Sequence, residues 1–282
     1  MKSAEPESRW TLRPIMLHTM TPEEAPIIVP VPPPRPKPRP RPNPPILAKD
    51  PTPRPRLLDL FCGAGGAAMG YHRAGFSVLG VDKNAQPNYP FESVRADALE
   101  YLVEFGGLFD AIHASPPCQR YSKDSFTSAN RSKHPDLIGP VREALCALAK
   151  PWIIENVEGA PMRPPAIRLC GLMFGLKVFR HRWFESSELL FGMQHPMHGA
   201  RRIGKDGMCC VVGHGGGSSP RERLRRLARG CRTGQASKAE WDVAMGIDWM
   251  TLDELAQAIP PAYTYHLGIQ MLRILNYGRA ER

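Results

Sequence analysis

The sequence predicts an α/β chain built on an open, nucleotide-type parallel sheet, and three observations carry that prediction. Short apolar runs of strand length recur, and helix-forming segments follow them. The first run, Leu57-Leu58-Asp59-Leu60-Phe61, passes directly into the glycine turn Cys62-Gly63-Ala64-Gly65-Gly66 and then into helix formers from Ala67 to Ala74. The second, Phe76 to Asp82, ends in a carboxylate. Glycines let the backbone approach a ligand beside a helix N-terminus, and an acid closing the second strand commonly takes the hydroxyls of a ribose. This unit implies an adenosine-containing cofactor of open identity, because a glycine turn also occurs in dehydrogenases and in plain tight turns.

Each later element has its own local reason. Gly75 can close the first helix. A short strand is expected at Ser93-Val94, and a helix from Asp97-Ala98-Leu99 through about Phe105. The run Phe109 to Ala114 reads as a buried strand that Pro116-Pro117 cannot continue, so Cys118 is held at a strand's carboxyl end. A thiol there is a candidate nucleophile if a neighbour lowers its pKa, although many free cysteines are simply buried apolar residues. Residues 123–136 are polar and are expected to form a mobile loop that closes over substrate.

A helix follows over Pro140–Ala149, then a strand at Trp152-Ile153-Ile154 that delivers Glu155-Asn156-Val157. Desolvation at that point raises a glutamate's pKa and suits it to general acid work; a turn satisfied by backbone N–H groups is the alternative. The alternating run from Val178 to Phe184 predicts a strand with Arg180 and Arg182 on one face and Phe179, His181 and Trp183 on the other. Near the end, Thr251 to Glu254 has the pattern of a capping box. Pro260-Pro261 then separates two helices, the last expected over Ala262–Leu275.

Composition divides the 282-residue chain further. Of 31 prolines, 17 fall in residues 1–56, where Lys/Arg also outnumber Asp/Glu by ten to five. An arm over residues 1–55 is therefore expected to be extended and solvated, with no core of its own. Residues 195–245 carry ten Lys/Arg against four Asp/Glu and are rich in glycine. With a serine-proline cap at Ser219-Pro220 ahead of five arginines, they suggest a short helix on a nucleic-acid surface. The expected organisation is a catalytic and cofactor-binding domain over 56–185, a small irregular recognition region over 186–240, and C-terminal helices over 241–282.

No run is long and apolar enough for a membrane span, and seven scattered cysteines fit a reducing cytoplasm. Cys209, Cys210, His195, His198, His214 and Cys231 raise the question of zinc. Without paired C-x-x-C spacing, no metal site is expected.

Taken in order, these segments resemble the DNA (cytosine-5) methyltransferase family, particularly its small phage-type members, over about residues 57–275. The segment Asp59 to Gly66 resembles the family's first motif, Pro117-Cys118-Gln119 its nucleophile motif, Glu155-Asn156-Val157 its glutamate motif, and Arg180-His181-Arg182 its Arg-x-Arg element. Two positions depart: Val178 stands where the family has Gln, and Ala256-Gln257-Ala258-Ile259 stands for a late motif whose Asn is missing.

The resemblance implies a Rossmann-like, S-adenosylmethionine-dependent methyltransferase fold with Cys118, Glu155, Arg182 and Arg180 as catalytic residues. It places S-adenosylmethionine against Phe61, Gly63, Gly65, Asp82, Asp97 and Pro117. Double-stranded DNA is the implied partner of a monomeric chain, met by Gln119, Arg120, Ser122, Arg221 and Arg225. RNA cytosine methylation, a non-catalytic DNA-binding relative and an NAD-dependent oxidoreductase are the alternatives.

Overall fold

A computed structural model describes residues 54–121, 133–198, 208–209, 211 and 237–280. Among the described residues, seven strands form one sheet in the order β3-β2-β1-β4-β5-β7-β6. They are β1 (Arg56–Leu60), β2 (Ser77–Asp82), β3 (Glu92–Arg95), β4 (Ala111–Ala114), β5 (Trp152–Asn156), β6 (Ala166–Leu169) and β7 (Arg182–Ser186). The pairs among β1 to β5 are parallel, and β7 runs antiparallel to both β5 and β6. The helices are α1 (Gly66–Ala74), α2 (Ala98–Phe105), α3 (Ile138–Ala147), α4 (Lys238–Met245), α5 (Leu252–Gln257) and α6 (Pro261–Ala280). Among the described residues, no helix is long and apolar enough to cross a membrane.

The central strands are buried on both faces, as parallel strands covered by helices must be. Leu57, Ala111 and Ile153 pack on the α1 and α6 side with Tyr71, Tyr263 and Leu267. Their neighbours Leu58, Leu60, Ile112, Ala114 and Ile154 pack on the opposite side with Tyr101, Leu102, Val141 and Leu145 of α2 and α3. The alternation of a strand then places Asp59, His113 and Glu155 on the first face too, and all three are buried. These three form a buried polar stripe in an otherwise apolar layer.

Helices α1 and α6 meet at backbone distance. A Cβ built on Gly70 would sit 2.0 Å from Thr264 Oγ1 and 2.2 Å from the Pro261 carbonyl oxygen. The Thr264 hydroxyl uses that proximity to donate to the Ala67 carbonyl at 2.8 Å. Gly70→Ala is expected to destabilise the fold by about 1–3 kcal/mol or more, since backbone must move. Chemical denaturation would show it as a lower midpoint at unchanged slope, and an unchanged midpoint would refute the close packing.

The structure corrects several expected boundaries. Strand β1 ends at Leu60, and Phe61 turns away in a left-handed conformation with φ 58°. Glu155 and Asn156 belong to β5 itself, and α3 begins at Ile138. The expected strand over 178–184 is shorter: β7 starts at Arg182, because Arg180 has φ 25° and breaks the alternation. Strand β6 went unread, as did α4, whose start at Ser237 is a capping box like the expected one at Thr251. Helix α6 runs past Leu275. The arm before residue 54 and the arginines of 221–229 lie outside the described residues.

Candidate active site

The site is assembled at the carboxyl ends of β1, β4 and β5. After β4, Ser115 and the two prolines carry the chain to Cys118, and the Cys118 carbonyl accepts the Tyr121 N–H at 2.9 Å. Asn156, at the end of β5, is fully buried and joins that loop to the sheet. Its side-chain amide donates to the Pro116 carbonyl at 2.9 Å, and its oxygen accepts the Val157 N–H at 2.9 Å. One side chain therefore sets both the cysteine loop and the turn after Glu155. Asn156→Ala would leave a buried carbonyl without its donor, at a cost of about 1–3 kcal/mol. It should also lower kcat, which steady-state kinetics beside a melting curve would separate from simple unfolding.

Glu155 is 5% exposed, and Arg182 Nε lies 3.0 Å from its Oε1. The approach is not aligned for a hydrogen bond, and Oε1 has no hydrogen-bond partner among the described residues. Burial pushes the Glu155 carboxyl upward, against the opposing pull of Arg182, the Ser115 side chain and Arg180. Burial first, then Glu155, also raises the Cys118 thiol, while Arg182 and Arg180 lower it. Thiol, carboxyl and the two guanidinium groups thus share one electrostatic site, in which burial raises both acids and the two arginines oppose it.

Arg180 holds this arrangement from behind. It is buried, donating to the Val211 carbonyl at 2.7 Å and the Ala256 carbonyl at 2.8 Å. Burial, with Arg182 nearby, depresses its guanidinium to about 9. The Tyr263 hydroxyl donates to the Arg180 carbonyl at 2.8 Å, which secures the left-handed residue to α6. The sequence missed a buried chain behind Glu155. Tyr71 Oη contacts His113 Nδ1 at 3.0 Å, and His113 Nε2 contacts Ser115 Oγ at 2.9 Å. Burial lowers His113 to about 3, so its imidazole is neutral. The only signal in the sequence was a histidine inside an apolar strand.

The glycine turn lies across β1 from this group. Asp82 accepts the Gly63 N–H at 3.3 Å and the Asn84 N–H at 2.9 Å. Gly63 has φ 48°, and a Cβ there would meet nothing within 4 Å. Gly65, with φ 83°, is instead closed over by Tyr89 and Pro90, 2.9 and 2.7 Å from its virtual Cβ. The N-terminus of α1 has no side-chain cap. Phe61 packs half-buried against the α2 and α3 layer. Asp97 caps α2, its Oδ1 accepting the N–H groups of Leu99 and Glu100.

Pro117 is half-buried and Gln119 exposed. Arg120 donates to the His134 carbonyl at 3.0 Å, and the Tyr121 hydroxyl donates to Asp136. Those two bonds tie together the ends of the expected substrate loop. Ser122, Arg221 and Arg225 lie outside the described residues.

Residues 56–161 match the family model for C-5 cytosine-specific DNA methylase. The chain is 30% identical over 123 residues to type II methyltransferase M.AgeI of Thalassovita gelatinovora, covering 37% of this chain and 28% of that protein. It is 30% identical over 112 residues to type II methyltransferase M.FnuDI of Fusobacterium nucleatum, covering 37% of this chain and 33% of that one. The chain therefore spans no more than about a third of the length of either relative. The S. pombe Dnmt2 methyltransferase shares the fold with TM-score 0.52 at 16% identity, over 79% of this chain and 100% of that one. The Entamoeba histolytica methyltransferase EhMeth shares it with TM-score 0.50 at 13% identity, over 79% and 99%. Gly63, Gly65 and Cys118 all fall inside residues 56–161, the segment in which this chain is similar to C-5 cytosine-specific DNA methylases.

Proposed function

We propose that the chain methylates carbon 5 of cytosine in double-stranded DNA, with S-adenosylmethionine as the methyl donor. The observation that carries the reading is the grouping of Cys118, Glu155 and Arg182 beside a glycine turn of the matched family. The turn fits the donor: the open space over Gly63, the uncapped α1 N-terminus and the Asp82 carboxylate suit a carboxylate and a ribose. Phe61 offers a flat apolar face for the adenine. S-adenosylmethionine held there supplies an electrophilic methyl group.

The protein's part is to make carbon 5 nucleophilic. Cys118 thiolate adds to carbon 6, and the electron pair displaced from the 5,6 double bond develops across the ring. Glu155, protonated, donates to ring nitrogen 3, and Arg182 holds the exocyclic oxygen. Once carbon 5 is alkylated, loss of its proton returns the pair to the ring and expels the Cys118 sulfur. The charges in the site favour this order. Moving a proton from Cys118 to Glu155 leaves the net charge unchanged and removes the carboxylate that raises the thiol. A cytosine stacked in a duplex cannot reach a cysteine at the sheet's edge, so the nucleotide has to be flipped out.

Residues 186–240 are read as the recognition region, where Arg221 and Arg225 contact phosphates. Arg221→Ala and Arg225→Ala should each reduce the slope of log affinity against log salt by about one unit. Equal slopes for variant and parent would move the DNA surface elsewhere. Bisulfite sequencing of DNA from cells expressing the chain tests the activity itself, expecting 5-methylcytosine at one recurring short site. Methyl label entering tRNA but not DNA would replace the reading with RNA methylation.

A further inference from the structure

We propose that Cys170, His181, His195 and His198 form a zinc site that fixes the Arg180–Arg182 turn to the start of the recognition region. One ligand atom from each residue lies within 4.8 Å of all the others, with Cys170 buried and the three imidazoles half-buried. The sequence raised zinc only for the later Cys/His group, and expected none. The set found here joins two of those histidines to two residues far upstream. Of the others, Cys209 points its sulfur at the Glu240 carbonyl, and Cys210, His214 and Cys231 lie outside the described residues.

The sheet explains why these four meet. Strands β6 and β7 pair antiparallel with Leu169 opposite Arg182, so Cys170 and His181 are the residues just beyond the last pair. The Gly171 N–H donates to the Phe179 carbonyl at 3.0 Å, one position out of that register, and holds the two segments together past the strand ends. The extended segment after β7 then returns, bringing His195 and His198 onto the same point. His181 and His195 stack at 5.1 Å, His181 and His198 at 5.0 Å, and Phe179 covers His198 at 4.3 Å.

The donor geometry has the scale of a metal tetrahedron. Cys170 Sγ lies 3.6 Å from His198 Nε2. Sulfur and nitrogen on one tetrahedral zinc ion stand about 3.5 Å apart. His181 Nε2 lies 2.9 Å from His195 Nε2, a contact that an ion would open by a few tenths of an ångström. Two hydrogen-bonded pairs, one N–H to N and one S–H to N, would also account for each contact taken singly. They give no reason for both pairs to converge on one centre. One thiolate and three neutral imidazoles match zinc's preference for sulfur and nitrogen, and four protein ligands make a closed, structural site. The proposal does not depend on which nucleic acid is the substrate.

The test uses the full chain, purified without an affinity tag of histidines and without chelator. Elemental analysis should find about one zinc per chain. Cys170→Ser and His198→Ala should reduce this below about a tenth, while Cys146→Ser, at an exposed thiol outside the cluster, should leave it unchanged. Should the variants not fold, the stripped wild-type chain titrated with cobalt(II) still decides the matter. Intense tetrahedral visible bands with a thiolate charge-transfer band, saturating at one equivalent and displaced by zinc, are expected. A wild-type chain without stoichiometric zinc that gives no saturable cobalt spectrum overturns the site. Stoichiometric copper or nickel in its place overturns the zinc assignment.

Discussion

Cys118→Ala is expected to lower methyl transfer by at least about 10⁴-fold while leaving S-adenosylmethionine binding unchanged. The loss is large because no other described group can supply the electron pair that makes carbon 5 reactive. Cys62 is buried in the core, Cys146 lies on α3, Cys170 follows β6, and Cys209 directs its sulfur to the Glu240 carbonyl. Binding is spared because the glycine turn and Asp82 rest on β1 and β2, whereas Cys118 follows β4. Burial and Glu155 raise the thiol at rest, so activity of the parent should rise with pH as the thiolate forms. Single-turnover methylation and calorimetry on the same variant separate the two effects. DNA carrying 5-fluorocytosine should trap the parent covalently, since fluorine cannot leave as a proton does, and should not trap the variant. Normal turnover by Cys118→Ala would end the mechanism.

Glu155→Gln should cost about 10²–10⁴-fold in kcat, the usual worth of a general acid. The substitution keeps size and burial but removes the transferable proton and the charge opposite Arg182. The pH dependence has a definite sign. Burial raises the folded carboxyl above its unfolded value, so the protonated, donating form survives to higher pH and is lost as pH rises through the folded pKa. That limb should disappear in Glu155→Gln, whereas the limb belonging to Cys118 should remain. The same raised pKa means that ionising Glu155 opposes folding. Stability contributed by the neutral carboxyl is fully present below the unfolded pKa and declines as pH rises through the folded one. Denaturation across pH should therefore show a shallower decline for the variant. Parent and variant with identical kcat profiles would remove Glu155 from the chemistry.

Much of the site was legible because it depends on local patterns. A glycine turn between an apolar run and a helix can hardly be anything but a strand-turn-helix unit, and Gly75 closes α1 as expected. The capping box at Thr251 was equally local, and both of its reciprocal bonds are present. Period-two alternation misled at 178–184, since the left-handed residue Arg180 interrupts the extended run and β7 starts only at Arg182.

By itself, then, the sequence determined the order of elements from β1 to β5, the turn that suits a cofactor, and the residue types at the ends of β4 and β5. Tertiary structure alone decided what those residues touch. Asn156 reaches Pro116 across 40 positions, and Arg142 pairs with Glu185 at 2.6 Å across 43. Cys170 and His181 come together just beyond the last β6–β7 pair, a pairing that a hydrophobic pattern cannot specify for a four-residue strand with two half-buried positions and one exposed. Periodicity records which face of an element is buried. Which elements share that face is set by the packing of the whole sheet, where each contact gains from the others already made.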